Sequence, residues 1–275
     1  MSEKYPCKVH FEPELEGASL VAGWDEDAGR LGARVIDYLN EKLGCKEFAE
    51  IDPADFFPLG GVSVDDNVAQ FPESKFYCCP GKNLLIFKSN IPRTEWYKFL
   101  DSVLYVAERY CHAKELYTVG GMVYLGAHTT PRDLLAIANS PDMKAILNQY
   151  DLARDIDYES APGQRPTLNS FLLWVARRRN IAAASLWVPI PFYLVASKDP
   201  RAWKKTLEFL DRRFVLGLDF SDIDADTARQ NEKIAHIRMH SPEVDGYIQR
   251  LESNQTLAQE EYEKLAMEVE GFLRE

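Results

Sequence analysis

Hydrophobic positions along the chain alternate between two spacings. Residues 19–24 form a continuous apolar run of strand length, and Leu31, Val35, Leu39 and Leu43 then recur at helical spacing up to a stop at Gly44. Phe48 to Ile51 predict a second strand, and Phe76 to Cys79 and Leu84 to Phe87 predict a hairpin or two neighbouring strands joined through Pro80-Gly81. Thr94 is a candidate N-cap for a helix with Trp96, Leu100, Val103, Leu104 and Ala107 on one stripe. A strand at Leu116 to Val119 is expected to end at Gly120-Gly121, and a helix is expected around Leu134 to Leu147. A loop with Pro162-Gly163 and Arg165-Pro166 follows. Thr167 then opens a helix bearing Leu168, Phe171, Leu172 and Val175, and a buried strand is read at 182–188. Asp199-Pro200 is a helix start that combines a cap with a proline at the first position.

This alternation predicts an α/β fold: a largely parallel sheet with helices on both faces, over residues 1–217. Residues 218–275 carry no strand pattern. Three helices are read there, opened by the Asp222–Asp226 region, by Ser241-Pro242, and by Thr256 with Gln259 as a capping box. They form a C-terminal helical extension whose apolar stripes (Val244, Ile248, Leu251, then Leu257, Leu265, Val269, Phe272) need a covering surface.

A net charge of −11 disfavours binding to a nucleic-acid backbone or an anionic membrane. Arg177-Arg178-Arg179 is explained by a helix C-terminus. The start of the chain lacks the apolar core of a signal peptide and no run is long enough to span a bilayer, so a cytoplasmic protein is expected. Five cysteines without C-x-x-C spacing fit reduced, mostly buried thiols.

Candidate chemistry is thin. The glycine loop from Gly23 to Gly32 lacks the spacing of a phosphate loop, and Asp25, Glu26 and Asp27 would repel a phosphate. Glu232, His236 and His240 share one helical face, but Ile237 stands where a zinc helix needs a glutamate. In the Asp222 to Asp226 run, Thr227 and Lys233 break the calcium-loop pattern. Ser185 reads as a small core residue, and Cys111-His112 has no evident oxyanion partner. No catalytic residue, metal ligand or cofactor is therefore assigned. Open α/β sheets place ligands beyond the carboxyl ends of their strands. A candidate pocket there comprises Gly23, Trp24, Asp27, Gly29, Gly120, Gly121, His128 and Trp187, with Trp24 as its aromatic and His128 as its polar element.

The strings Leu20 to Gly32, Val119-Gly120-Gly121, His128-Thr129-Thr130-Pro131 and Ala182 to Pro189 resemble, in order and spacing, archaeal and bacterial proteins related to the second subunit of the proteasome assembly chaperone. The likeness spans about residues 18–252 and includes Asp199-Pro200 and Ser241-Pro242-Glu243-Val244. It implies a three-layer α/β/α domain similar to nucleoside phosphorylases, with added C-terminal helices. It also implies a homo-oligomer, trimeric or larger, with other proteins as further partners and no established catalytic residues to transfer. Two departures stand out. The ending Gly271-Phe272-Leu273-Arg274-Glu275 lacks the hydrophobic-Tyr-any tail of archaeal relatives that dock on the proteasome, and Thr130 replaces the arginine of a usual His-Thr-Arg-Pro. The expected function is a non-enzymatic interaction or assembly factor. The alternative is a small-molecule-binding protein or enzyme using the strand-end crevice.

Overall fold

A computed structural model describes residues 6–57, 63–79, 81–153 and 166–274. Its strands are β1 (Cys7–Val9), β2 (Ser19–Trp24), β3 (Lys46–Ile51), β4 (Ser63–Asp65), β5 (Val68–Gln70), β6 (Ser74–Cys79), β7 (Leu84–Ser89), β8 (Glu115–Tyr124), β9 (Leu135–Ala138) and β10 (Ala182–Pro191). Its α-helices are α1 (Leu31–Leu43), α2 (Trp96–Cys111), α3 (Pro141–Leu147), α4 (Leu168–Arg178), α5 (Pro200–Phe214), α6 (Ser221–His240), α7 (Pro242–Glu252) and α8 (Gln259–Arg274). Eight strands form one mixed sheet in the order β1-β3-β6-β7-β2-β8-β10-β9, and β4 and β5 form a separate hairpin. The chain divides into two compact units. The first comprises residues 1–26, 32–120 and 135–186; the second comprises 27–31, 121–134 and 187–275.

In the first unit, β2 is buried along its whole length, with β7 and β8 as parallel neighbours. The predicted hairpin is present: β6 and β7 are antiparallel, and β3 and β1 extend that antiparallel half. Strand parity creates the layers. Leu20, Ala22 and Trp24 point into a core shared with Phe76, Phe87, Phe99, Leu104 and Leu172, which brings in α2 and α4. Gly23 has the other parity and lies under α1, where an added Cβ would stand 2.6 Å from the Gly32 carbonyl oxygen and 2.7 Å from Ile36. Helices thus cover both faces of β2, as the sequence predicted. Arg179, just past the end of α4, does more than complement a helix end, because its guanidinium bonds Asp101 at 2.7 Å and also Glu108, both on α2.

Several local expectations are corrected. Both Gly120-Gly121 and Trp187 lie within strands, since β8 runs on to Tyr124 and β10 to Pro191. The segment expected as one helix splits into β9 and α3, because Ser140 accepts the N–H of Met143 and Pro141 starts the helix there. Thr94 does not cap α2: its hydroxyl donates to the Asp55 carbonyl at 3.3 Å, and Glu95 takes the cap position in a left-handed conformation. At α8 the carboxylate reaching back is that of Glu261, which accepts from the Ala258 N–H at 2.6 Å, so the box expected from Thr256 and Gln259 is displaced. Pro80, Pro162-Gly163 and Arg165 lie outside the described residues.

The cysteines also depart from expectation. Cys45 and Cys79 form a disulfide, while Cys7, Cys78 and Cys111 are free. Lys46 faces Cys78 in the antiparallel β3–β6 ladder, so the next pair outward is Cys45 opposite Cys79. Burial pushes the Cys111 thiol up to about 12.

In the second unit, Asp199 caps α5 by accepting from the Ala202 N–H at 3.2 Å, and Ser241 caps α7 by accepting from the Val244 N–H at 3.4 Å. The apolar stripes of the last three helices are buried at Ile223, Ile234, Val244, Ile248, Leu251, Leu265 and Val269. The helices pack on one another, with α6 against α5, α7 and α8.

Candidate functional site

The eight candidate residues fall in both units. Gly23, Trp24 and Gly120 belong to the first; Asp27, Gly29, Gly121, His128 and Trp187 belong to the second.

Trp24 was expected to offer an aromatic wall. It is instead a core residue, 3% exposed, edge-on to Phe87 with ring centroids 5.8 Å apart. Its indole Nε1–H donates to the buried Asn169 Oδ1 at 2.5 Å, so its one polar atom is satisfied inside the first unit. Parity explains the outcome: Trp24 shares the face of Leu20 and Ala22, where α2 and α4 pack. Ser185 likewise serves the core, accepting from the Thr118 hydroxyl at 2.8 Å.

In the second unit, Asp27, Gly29 and Gly121 come together. The Asp27 carboxylate accepts the Gly121 N–H at 2.7 Å. A Cβ on Gly121 would stand 2.1 Å from the Ala28 carbonyl oxygen, and one on Gly29 would stand 2.8 Å from Ile190 Cδ1. The backbone of 27–29 therefore lies directly on β8. Gly29 also has φ +66°, a left-handed conformation that glycine adopts without strain. The carboxylate of Asp27 thus fixes the turn before α1 to the backbone of β8 at Gly121.

His128 anchors a second cluster and is 6% exposed. The Tyr193 hydroxyl accepts its backbone N–H at 2.5 Å and lies 2.8 Å from its Nδ1. With Tyr193 donating to Nδ1, the imidazole carries its proton on Nε2 and is neutral. Burial first, then the nearby Arg201 and Arg238, push its pKa down to about 4. Burial raises the Tyr193 pKa. The His128 carbonyl accepts from Arg201 Nη1 at 2.9 Å and from Arg132 Nη2 at 3.4 Å. Arg132, itself buried, pairs with the fully buried Asp199 at 3.0 Å, and Arg201 also reaches Asn231 on α6 at 3.0 Å. Thr129 donates to Glu252 on α7 at 3.1 Å. The loop is thus tied to α5, α6 and α7.

A neutral histidine whose Nδ1 is engaged by a tyrosine of raised pKa is a poor general base near neutrality. No activated nucleophile adjoins it among the described residues. Sequence reasoning singled out His128 but missed Tyr193, Arg132 and Arg201. Asp199 was recognised only as a cap, and its bond to Arg132 spans 67 residues with no local signal. His236 and His240 stack on each other with centroids 4.1 Å apart, and His240 Nδ1 is bonded to the His236 carbonyl at 2.8 Å.

A family model described as PAC2 matches residues 20–238. The chain belongs to the PAC2 family. Among solved structures, it is similar to a Mycobacterium tuberculosis protein of unknown function, with 19% identity, 96% of each chain covered and TM-score 0.76. It is also similar to a Corynebacterium glutamicum protein of unknown function, with 17% identity, 92% of this chain and 97% of that chain covered, and TM-score 0.75. PbaB of Pyrococcus furiosus, an archaeal proteasome activator, matches at 18% identity over 84% of this chain and 98% of its own, with TM-score 0.68. At these identities the PAC2 likeness establishes the fold. No curated protein shows a significant sequence match.

Proposed function

We propose that this PAC2 protein is a non-enzymatic interaction or assembly factor, chaperone-like in action, working in the cytoplasm as a homo-oligomer of three or more copies. Family membership supports this reading, as does the proteasome link in the name of the Pyrococcus relative. The observation that carries it is an exposed aromatic patch on α2 and α4 of the first unit. Trp174 is 46% exposed and Tyr97 43%. Their rings meet edge-on at 5.9 Å, Phe171 stacks on Trp174 at 5.3 Å, and the Arg178 guanidinium sits 5.0 Å from the Trp174 ring centroid. Tryptophan, tyrosine and arginine are the residues that dominate protein interfaces, and leaving such rings in water is costly. We assign the patch to contact with a second copy.

The alternative reading, a ligand crevice at the strand ends, has weaker support, because Trp24, Asp27 and the His128 ring nitrogen Nδ1 are already engaged inside their own units. No described helix is long and apolar enough to cross a membrane.

Light scattering coupled to gel filtration tests the proposal. A mass of at least three times 31.4 kDa, reduced by Trp174→Ala, is expected. A mass of 31.4 kDa at micromolar concentration would refute it.

A further inference from the structure

A group of metal-ligating side chains lies on the sheet, apart from the residues discussed above. His10, Glu47 and Glu50 place one potential ligand atom each within 4.8 Å of one another. His10 Nε2 is 3.5 Å from Glu47 Oε1 and 4.0 Å from Glu50 Oε1. Glu47 and Glu50 are three residues apart, a spacing that puts side chains on opposite faces of a regular strand. Here the β3–β6 register shifts between Glu47 and Ala49. This β-bulge returns both carboxylates to one face, while Phe48 and Ala49 remain in the core. Lys8 faces Glu50 across the β1–β3 ladder, and His10, two residues on, has the same parity and bonds to the Phe48 carbonyl through its N–H at 2.7 Å. Backbone pairing therefore brings the three ligands together. Cys7 has the other parity and is not part of the set.

Two lysines compete for the carboxylates. Lys75 lies closer to Glu73, at 2.8 Å, than to Glu47, at 3.7 Å. Lys8 bonds Glu50 at 2.8 Å, but its side chain is 71% exposed. Exposed ion pairs of this kind contribute little and are readily exchanged. One imidazole with two carboxylates is a donor set suited to a borderline divalent ion, which leaves a fourth tetrahedral position open to water.

We propose that His10, Glu47 and Glu50 form a surface site for a divalent transition-metal ion of the zinc type, assembled by the β-bulge of β3. Isothermal titration of the full chain with Zn2+ tests this. One saturable site is expected, weakened at least about tenfold by His10→Ala and by the double substitution Glu47→Gln with Glu50→Gln. Its affinity should be unchanged by His236→Ala with His240→Ala. Lys8→Met removes the competing ammonium, so it should tighten binding, an effect that general damage to the fold would not produce. Absence of binding, a His10→Ala isotherm equal to that of the wild type, dependence on His236 and His240, or no tightening in Lys8→Met would overturn the proposal.

Discussion

Replacing His128 by Asn should flatten the acid limb of the protein's stability curve. The native imidazole titrates near 4, against 6.5 for an unperturbed histidine, and burial is the main cause. Between those values the unfolded chain binds a proton that the folded chain refuses. Stability therefore falls as pH falls through this window, and the loss is complete only below the folded value. Evaluating the linkage for the two pKa values gives a loss of about 2 kcal/mol on going from about pH 7.5 to about pH 5. The nearby groups act in both directions: Arg201, Arg238 and Arg132 oppose protonation and Glu252 favours it, so screening by salt is expected to change the size of the effect but not its sign. Urea midpoints measured across this range for the wild type and for His128→Asn are the assay, the difference between the curves cancelling the titration of surface carboxylates. The variant will be less stable at neutral pH because it loses the buried ring that packs edge-on against Tyr193, although its backbone N–H still donates to that hydroxyl, but its curve should run flatter by the amount given. Parallel curves would refute the account of a buried neutral histidine.

Gly121→Ala should destabilise by about 3 kcal/mol or more, because the Cβ would meet a backbone oxygen at 2.1 Å rather than a side chain that can turn aside; a thermal melt decides it. Trp24→Phe should cost about 1–3 kcal/mol by orphaning the buried Asn169 acceptor, and Trp24→Phe with Asn169→Leu should recover part of that in denaturant titrations. Reducing the Cys45–Cys79 bridge, which closes a separation of 34 residues, should lower stability by about 4 kcal/mol on loop-entropy grounds, measured as a fall in unfolding midpoint with reductant that is absent in the double serine variant.

The central elements of this fold were legible because buried strands and amphipathic helices announce themselves by spacing. β2, α1, the β6–β7 hairpin and the start of α5 all follow from local pattern. What escaped was set by distant partners. Gly120-Gly121 looked like a strand end because glycine usually interrupts strands, yet Gly121 is needed where the Ala28 carbonyl presses on β8. Cys45 and Cys79 carry no motif, and only the β3–β6 register makes them neighbours. The candidate pocket rested on Trp24 standing beyond a strand end, whereas its parity sends it into the core. The sequence marks His128 as a loop histidine, but the residues that set its protonation state extend as far along the chain as Arg238 and Glu252.

The division into two units carries a consequence for inheritance and for engineering. Each unit is assembled from three separate stretches, and the chain passes from one to the other within or beside α1, β8, β9 and β10. Neither can be copied, deleted or transplanted by a single cut. A fragment ending at residue 217 would remove α6 to α8 yet keep the His128 loop, stranding Arg201 without Asn231 and Thr129 without Glu252. The C-terminal helices therefore supply polar partners to the loop around His128 as well as covering one another's apolar stripes. Shortening α6 or α7 would leave the polar groups of that loop to find new partners or water.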